Sequence, residues 1–236
     1  MGESLEHDAS AHSPTVTKPG RAAILASGLG LCHRGKWPLR SVTFSVDTSA
    51  GAVGIAGAHG SGKTALFALL GGFAPPARGE LWVLGKDMRT YRGRDTIRRR
   101  VGLIPPPGRP LGFTVLELVT HAAWLLGLPV SHRRASVAGA LQRLQLANWV
   151  SASINAAPDD VALRAWLAAC TVHEPDLILV DGLLDGIAED DALAMAGCLR
   201  SLAVSTALLV AGRDAARLAR CCARVFTLTD GIADGG

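Results

Sequence analysis

Eight consecutive residues, Gly57-Ala58-His59-Gly60-Ser61-Gly62-Lys63-Thr64, fit the pattern G-x-x-x-x-G-K-[ST]. Glycines in such a loop let backbone N–H groups close around phosphate oxygens with no Cβ in the way. Lys63 then sets a point charge against the outer phosphates, and the Thr64 hydroxyl is placed to ligate Mg²⁺. The flanks suit this reading. Ala52–Ala56 (AVGIA) is a short apolar run, as a buried strand requires, and residues 65–70 (ALFALL) form helix readily. Strand, glycine-rich loop and helix in that order put a helix N-terminus and its dipole behind the anion site. A second group follows in Leu177–Asp181 (LILVD), four apolar residues ending in a carboxylate. An Asp at that strand end meets the same Mg²⁺, directly or through water. The plainer alternatives are a turn that binds nothing and an acid at an ordinary strand end.

The elements that must hold these groups alternate. Residues 24–31, 41–46, 80–84, 100–104 and 224–228 read as strands, as do 52–56, 176–181 and 206–211. Residues 65–70, 114–128, 133–146, 159–173, 189–203 and 214–222 read as helices. Alternation of this kind predicts an α/β fold: a mostly parallel sheet flanked by helices around the phosphate loop. The stretch 107–160 is nearly all helical and reads as an inserted helical subdomain. Residues 1–20 are polar with two prolines and read as a disordered tail, leaving 21–236 as a single domain.

Composition bounds the class. The chain has 236 residues, enough for a full core, and only 5% of them are aromatic, so Ala, Leu and Val must fill it. No apolar run approaches the 18 or more residues that span a bilayer, and the N-terminus shows no signal-peptide pattern. Cys32, Cys170, Cys198, Cys221 and Cys222 are odd in number with no C-x-x-C pair, which suits free thiols in a reducing cytosol rather than a metal site. A net charge of +4 does not argue for nucleic acid. The basic stretch from Lys86 to Arg100 is interrupted by Asp87 and Asp95. It reads as a solvated face with local ion pairs, with acidic lipid headgroups or an acidic partner as the alternative.

Motif order and spacing resemble the ATP-binding cassette family, the nucleotide-binding subunits of membrane transporters. GAHGSGKT looks like that family's phosphate loop, and 69–85 (LLGGFAPPARGELWVLG) like the stretch after it. Residues 113–128 (FTVLELVTHAAWLLGL) are similar to the opening of its helical subdomain, and 223–232 (ARVFTLTDGI) to its final strand and turn. The resemblance implies an added antiparallel β subdomain, bound ATP with Mg²⁺, a membrane-spanning permease partner and a second cassette in a homo- or heterodimer. It also implies a cytoplasmic chain peripheral to the membrane through its permease. Adenine is expected to stack on an aromatic group upstream of the loop, with His33 or Trp37 in that role.

At five further positions the chain departs from the family pattern. The Gln expected after the strand at Gly102 is Pro106, which has neither a side-chain amide nor a backbone N–H. The signature loop, Leu-Ser-Gly-Gly-Gln in the family, aligns with Ile154-Asn155-Ala156-Ala157-Pro158. There Ala156 and Ala157 add methyl groups where glycine permits close approach, and Asp159 and Asp160 oppose phosphate. The plain reading of that segment is a well-capped helix start with proline near its first position. The catalytic Glu after Asp181 is Gly182, which cannot polarise water. The D-loop aligns as Gly186-Ile187-Ala188, with Ala where the family has Asp, and Asp185 or Asp190 could compensate only after a shift in register. The switch His is Arg213, permanently charged and able to touch a phosphate but not to titrate.

Both composite sites of a cassette dimer are then compromised, one by the missing base and the other by the altered signature. The expected function is an ATP-binding transporter subunit that hydrolyses weakly or not at all and serves a structural or regulatory role. The alternatives are a working transporter ATPase whose missing groups come from a partner or from Arg213, Asp185 and Asn155, and a soluble nucleotide-binding module with no membrane partner.

Overall fold

The computed structural model describes residues 22–47, 51–105 and 112–235. The tail at 1–20 and Pro106 lie outside the described residues. Two five-stranded sheets organise the chain. The first is built from β1 (Ala22–His33), β2 (Lys36–Asp47), β4 (Arg78–Val83), β5 (Lys86–Asp87) and β10 (Ile232–Gly235), in the order β10-β2-β1-β4-β5. It is antiparallel except where β10 runs parallel to β2. The second comprises β3 (Ala52–Ala56), β6 (Val101–Ile104), β7 (Leu177–Asp181), β8 (Ala207–Gly212) and β9 (Arg224–Thr227). Its order is β6-β7-β8-β3-β9 and every pairing is parallel.

The parallel sheet is covered on both faces, and the period of two along its strands divides the core in half. Ala52 and Ala56 of β3, Ile178 and Val180 of β7, and Leu208 and Val210 of β8 share one apolar cluster. That cluster includes α3 (Val115–Leu125), α4 (Val130–Arg143), α5 (Asp159–Thr171) and α6 (Glu189–Ala203) through residues such as Val119, Leu141, Leu167 and Leu199. Val53, Ile55, Leu177, Leu179 and Leu209 face the other way. They pack with Leu66, Phe67, Leu69 and Leu70 of α1 (Lys63–Leu70) and with the first sheet.

Several element ends differ from expectation for local reasons. The strands at 24–31 and 41–46 extend toward each other and pair as far as His33↔Lys36. Arg34 and Gly35 both take positive φ there, 48° and 74°, the geometry of a tight hairpin turn. Arg-Gly is a poor signal for such a turn, so the hairpin was not legible. Residues 91–98, expected only as a charged stretch, form α2 (Tyr91–Arg98), with the Thr90 side chain accepting from Gly93 N. Helix α3 begins at a full capping box between Thr114 and Glu117 and stops at Leu125. The C-terminal helix is shorter than expected, α7 (Ala215–Ala219), capped by Asp214.

Part of the basic stretch is paired with carboxylates. Arg89 bridges Glu80 and Asp87, Arg98 and Arg99 share Asp95, and Arg100 meets Asp176 at 2.9 Å. All five cysteines are free. Burial pushes the Cys170 thiol up to about 12, while Cys32 is exposed. Iodoacetamide at about pH 8 should therefore modify Cys32 in the folded chain and spare Cys170 until denaturant is added. Peptide mass mapping checks this, and equal rates at both thiols in native buffer would contradict the burial.

Candidate functional site

Five consecutive buried residues carry β3 into the glycine-rich loop, and α1 starts directly after it. The turn between them needs glycine at particular points. Gly62, the residue before α1, has φ of 105°, and a Cβ there would sit 2.4 Å from the Pro38 carbonyl oxygen. At Gly57 a Cβ would meet the Leu228 carbonyl and Ser61 Oγ, each at 2.5 Å. The loop is wedged between β2 and the end of β9, and side chains would push it out.

Lys63 is buried although charged. Its Nζ donates to the Gly57 carbonyl at 2.6 Å and the Ala58 carbonyl at 2.8 Å, with Ser61 Oγ at 3.3 Å. The ammonium is thus held across the mouth of the loop by main-chain oxygens. Burial lowers its pKa, the Asp185 and Asp181 carboxylates oppose that, and Arg213 adds to it. The next residue, Thr64, donates its hydroxyl to Asp181 Oδ2 at 2.7 Å. Asp181 is the last residue of β7 and is buried. The two expected Mg²⁺ ligands are therefore adjacent, a hydroxyl and a carboxylate at the rim of the anion loop. Hard oxygen donors in this number suit Mg²⁺, which takes few protein ligands and fills its octahedron with water and phosphate oxygens. No group of three or more His, Cys, Asp or Glu side chains among the described residues could hold a metal alone.

The loops after β7 and β8 close the site. Gly182 N donates to the Ala211 carbonyl and Gly57 N to the Gly212 carbonyl, at 3.0 and 3.1 Å. Gly182 has φ of 67°, in the left-handed region. Asp185 accepts from Arg213 N at 2.9 Å and faces Arg213 Nε at 3.4 Å. The sequence offers both as substitutes for missing groups but does not show them in contact; the fold joins them. Arg217 donates to the Leu184 and Ile187 carbonyls and so pins the segment aligned with the D-loop against α7. Asp190 instead lies exposed in the first turn of α6.

Residues 154–158 belong to the helical side. Ile154 is buried beside Val115 and Leu118, and its N–H donates to the Phe113 carbonyl. The well-capped start expected for α5 is not found. Pro158 occupies the N-cap position and no side chain caps the helix there. Only the acids Asp159 and Asp160 complement its first turn. Of the aromatic candidates, Trp37 and His33 both line an open pocket of about 900 Å³ that reaches Gly60. The Arg78 guanidinium lies 5.0 Å from the Trp37 ring centroid. His59 is exposed on the loop.

A family model described as ABC transporter matches residues 39–183. The chain is 28% identical over 204 residues to Nod factor export ATP-binding protein I of Burkholderia orbicola, an alignment covering 85% of this chain and 66% of that protein. It is 30% identical over 186 residues to the protein of the same description from Burkholderia thailandensis, covering 77% and 60%. The chain thus spans about two thirds or less of the length of these relatives. Among solved structures, cbiO1 from Clostridium perfringens, described as part of the ABC transporter complex cbiONQ, superposes with a TM-score of 0.80 at 19% identity. That superposition covers 91% of this chain and 87% of the other, and it establishes the likeness of fold.

The loop geometry ranks two substitutions. Gly62→Ala should destabilise the chain by about 2 kcal/mol or more, because strain and a clash with Pro38 coincide. Gly60→Ala has open space around it and φ of 80°, so it should cost about 1 kcal/mol from strain alone. Urea midpoints check the order, and the reverse order would mean the loop is not wedged as described.

Proposed function

This chain belongs to the ABC transporter family, and from that premise we propose that it is an ATP-binding cassette that holds Mg·ATP and hydrolyses it weakly or not at all. The binding half of the reading rests on Gly57–Thr64 around the buried Lys63, with Thr64 and Asp181 side by side. In this reading backbone N–H groups of the loop and Lys63 hold the phosphates, Thr64 and Asp181 hold Mg²⁺, and Trp37 stacks the base. Bound Mg²⁺ would neutralise phosphate charge. Lys63 would exchange its carbonyl contacts for phosphate oxygens, and its proton stays on Nζ throughout.

One observation carries the proposal that turnover is poor. The residue after Asp181, where a base must orient the attacking water, is a glycine in the left-handed conformation. It offers no side-chain acceptor, and its backbone is set in a region that other residues enter at a cost of about 1–2 kcal/mol. The signature segment adds to this. Ile154 is committed to the apolar core, and the first turn of α5 carries Asp159 and Asp160, the latter paired with Arg164. The subunit would sit beneath a membrane-spanning partner and beside a second cassette, with ATP stabilising the contact. That assembly reading rests on family membership and on the cbiONQ likeness.

A second reading, an active transport ATPase, is favoured by one contact. The Asp185–Arg213 pair lies close enough to Lys63 to influence its protonation. In that reading Asp185 replaces the missing base and Arg213 the missing switch residue.

Titration of Mg·ATP into the full chain with its membrane and cassette partners, with phosphate release followed in the same sample, separates these readings. We expect saturable binding that Lys63→Ala abolishes. Phosphate release should lie at least about a hundredfold below a median enzyme turnover of about 10 s⁻¹. Gly182→Glu alone should not restore turnover, since the backbone there disfavours the new side chain. Ordinary turnover, lost on Asp185→Asn, would replace the first reading by the second.

A further inference from the structure

The turn between α3 and α4 is unlike the rest of the surface. Trp124, Leu125, Leu126 and Val130 are 58%, 65%, 46% and 81% exposed, and Leu116 joins them on α3. Gly127, with φ of 72°, ends α3, and Pro129 precedes α4, so the chain reverses with these side chains outside. Trp124 has ring neighbours: it lies tilted against His121 with centroids 5.8 Å apart, and His121 lies tilted against Phe113 at 5.4 Å. Between the two helices runs an apolar groove of about 450 Å³, floored by Leu116, Val130, Val137 and Leu141 and bordered by Arg133 and Arg134.

Charge is equally one-sided. From Leu118 to Pro158 the sequence contains no Asp or Glu. Arg143 in this stretch is matched by Glu174 from outside it. Arg133 donates to the Leu128 carbonyl, and neither Arg133 nor Arg134 forms an ion pair with a described residue. The basic stretch around α2 pairs Arg89, Arg98, Arg99 and Arg100 with carboxylates and also keeps a net positive charge, but it has no cluster of exposed leucines beside it.

Exposed apolar groups beside unpaired arginines fit an anionic, apolar partner. The shape of the turn selects among such partners. Residues 124, 125 and 126 are consecutive, and consecutive residues of a helix do not face one way. A single helix laid in the α3–α4 groove would leave part of this trio uncovered. A bilayer interface surrounds a protruding turn from all sides, accepts Trp at headgroup depth, and sets lipid phosphates beside arginines. We propose that the α3–α4 turn is a membrane-contact surface. Trp124, Leu125, Leu126 and Val130 enter the interface of an anionic bilayer while Arg133 and Arg134 pair with lipid phosphates.

Sedimentation of the purified full chain with vesicles tests this. Vesicles of equal phosphatidylglycerol and phosphatidylcholine should carry the chain down, pure phosphatidylcholine should not, and high salt should release it. Arg133→Gln with Arg134→Gln should weaken binding about fivefold for each arginine removed. Leu125→Ser and Leu126→Ser should each weaken it about tenfold. Both leucines are exposed, so circular dichroism should be unchanged. Arg92→Gln with Arg99→Gln, on α2, serves as the control and should bind as wild type does. Three results would overturn the proposal. One is a chain that ignores anionic vesicles. Another is loss of binding in the α2 variant. The third is a Leu125→Ser chain that still binds vesicles and instead fails to assemble with a membrane-spanning subunit, which would make the turn a protein-docking surface. None of these outcomes depends on nucleotide binding, which ATP titration of the same variants reads separately.

Discussion

Thr64 and Asp181 meet at 2.7 Å across 117 positions of sequence, and everything at the site depends on the strand order that permits it. In the order β6-β7-β8-β3-β9, β8 separates the strand that ends at Asp181 from the strand that feeds the glycine loop. All of these strands run the same way, so their C-terminal ends open onto one edge, where open α/β sheets place their ligands. The loops there are joined by main-chain bonds, Gly57 to Gly212 and Gly182 to Ala211. A shift of β8 by one residue would break both bonds and turn its buried faces over.

Within that frame the charges are arranged against one another. Lys63 is driven toward its neutral form by burial and kept charged by two carboxylates, while Arg213 works against them. Asp185 spends part of its charge on Arg213. An incoming polyphosphate would add negative charge beside Lys63 and compete with Asp185 for the guanidinium. Such a site would respond to its ligand by exchanging ion pairs.

The fold was largely legible because its signals were local and strong. Ala52–Ala56, Leu177–Asp181 and Glu189–Ala203 are uniformly apolar or cleanly periodic, and they form the expected elements. The illegible parts depend on distant contacts or unusual turns. Strand β10 pairs with β2 through residues far apart in sequence, and nothing within Ile232–Gly235 announces a strand. Helix α2 carries so many arginines that its amphipathic character was hidden behind a charge pattern. At the site, the proximity of Thr64 and Asp181 could be anticipated from their motifs. The pairing of Asp185 with Arg213 could not, since it arises from two loops that the parallel sheet brings together.

Gly182 is held in its conformation by its neighbours. Its φ is 67°, and its N–H is engaged by β8. Asp185 N donates to the Gly182 carbonyl at 3.1 Å, so the same glycine shapes the turn that carries Asp185 to Arg213. The conformation therefore serves a contact of its own. A side chain added at 182 must either bear the left-handed strain or release that turn, and releasing it would free Arg213 from its carboxylate. Placing a carboxylate at 182 and keeping the Asp185–Arg213 pair are thus opposed by one dihedral angle, which ties the proposed weak-hydrolysis reading to backbone geometry.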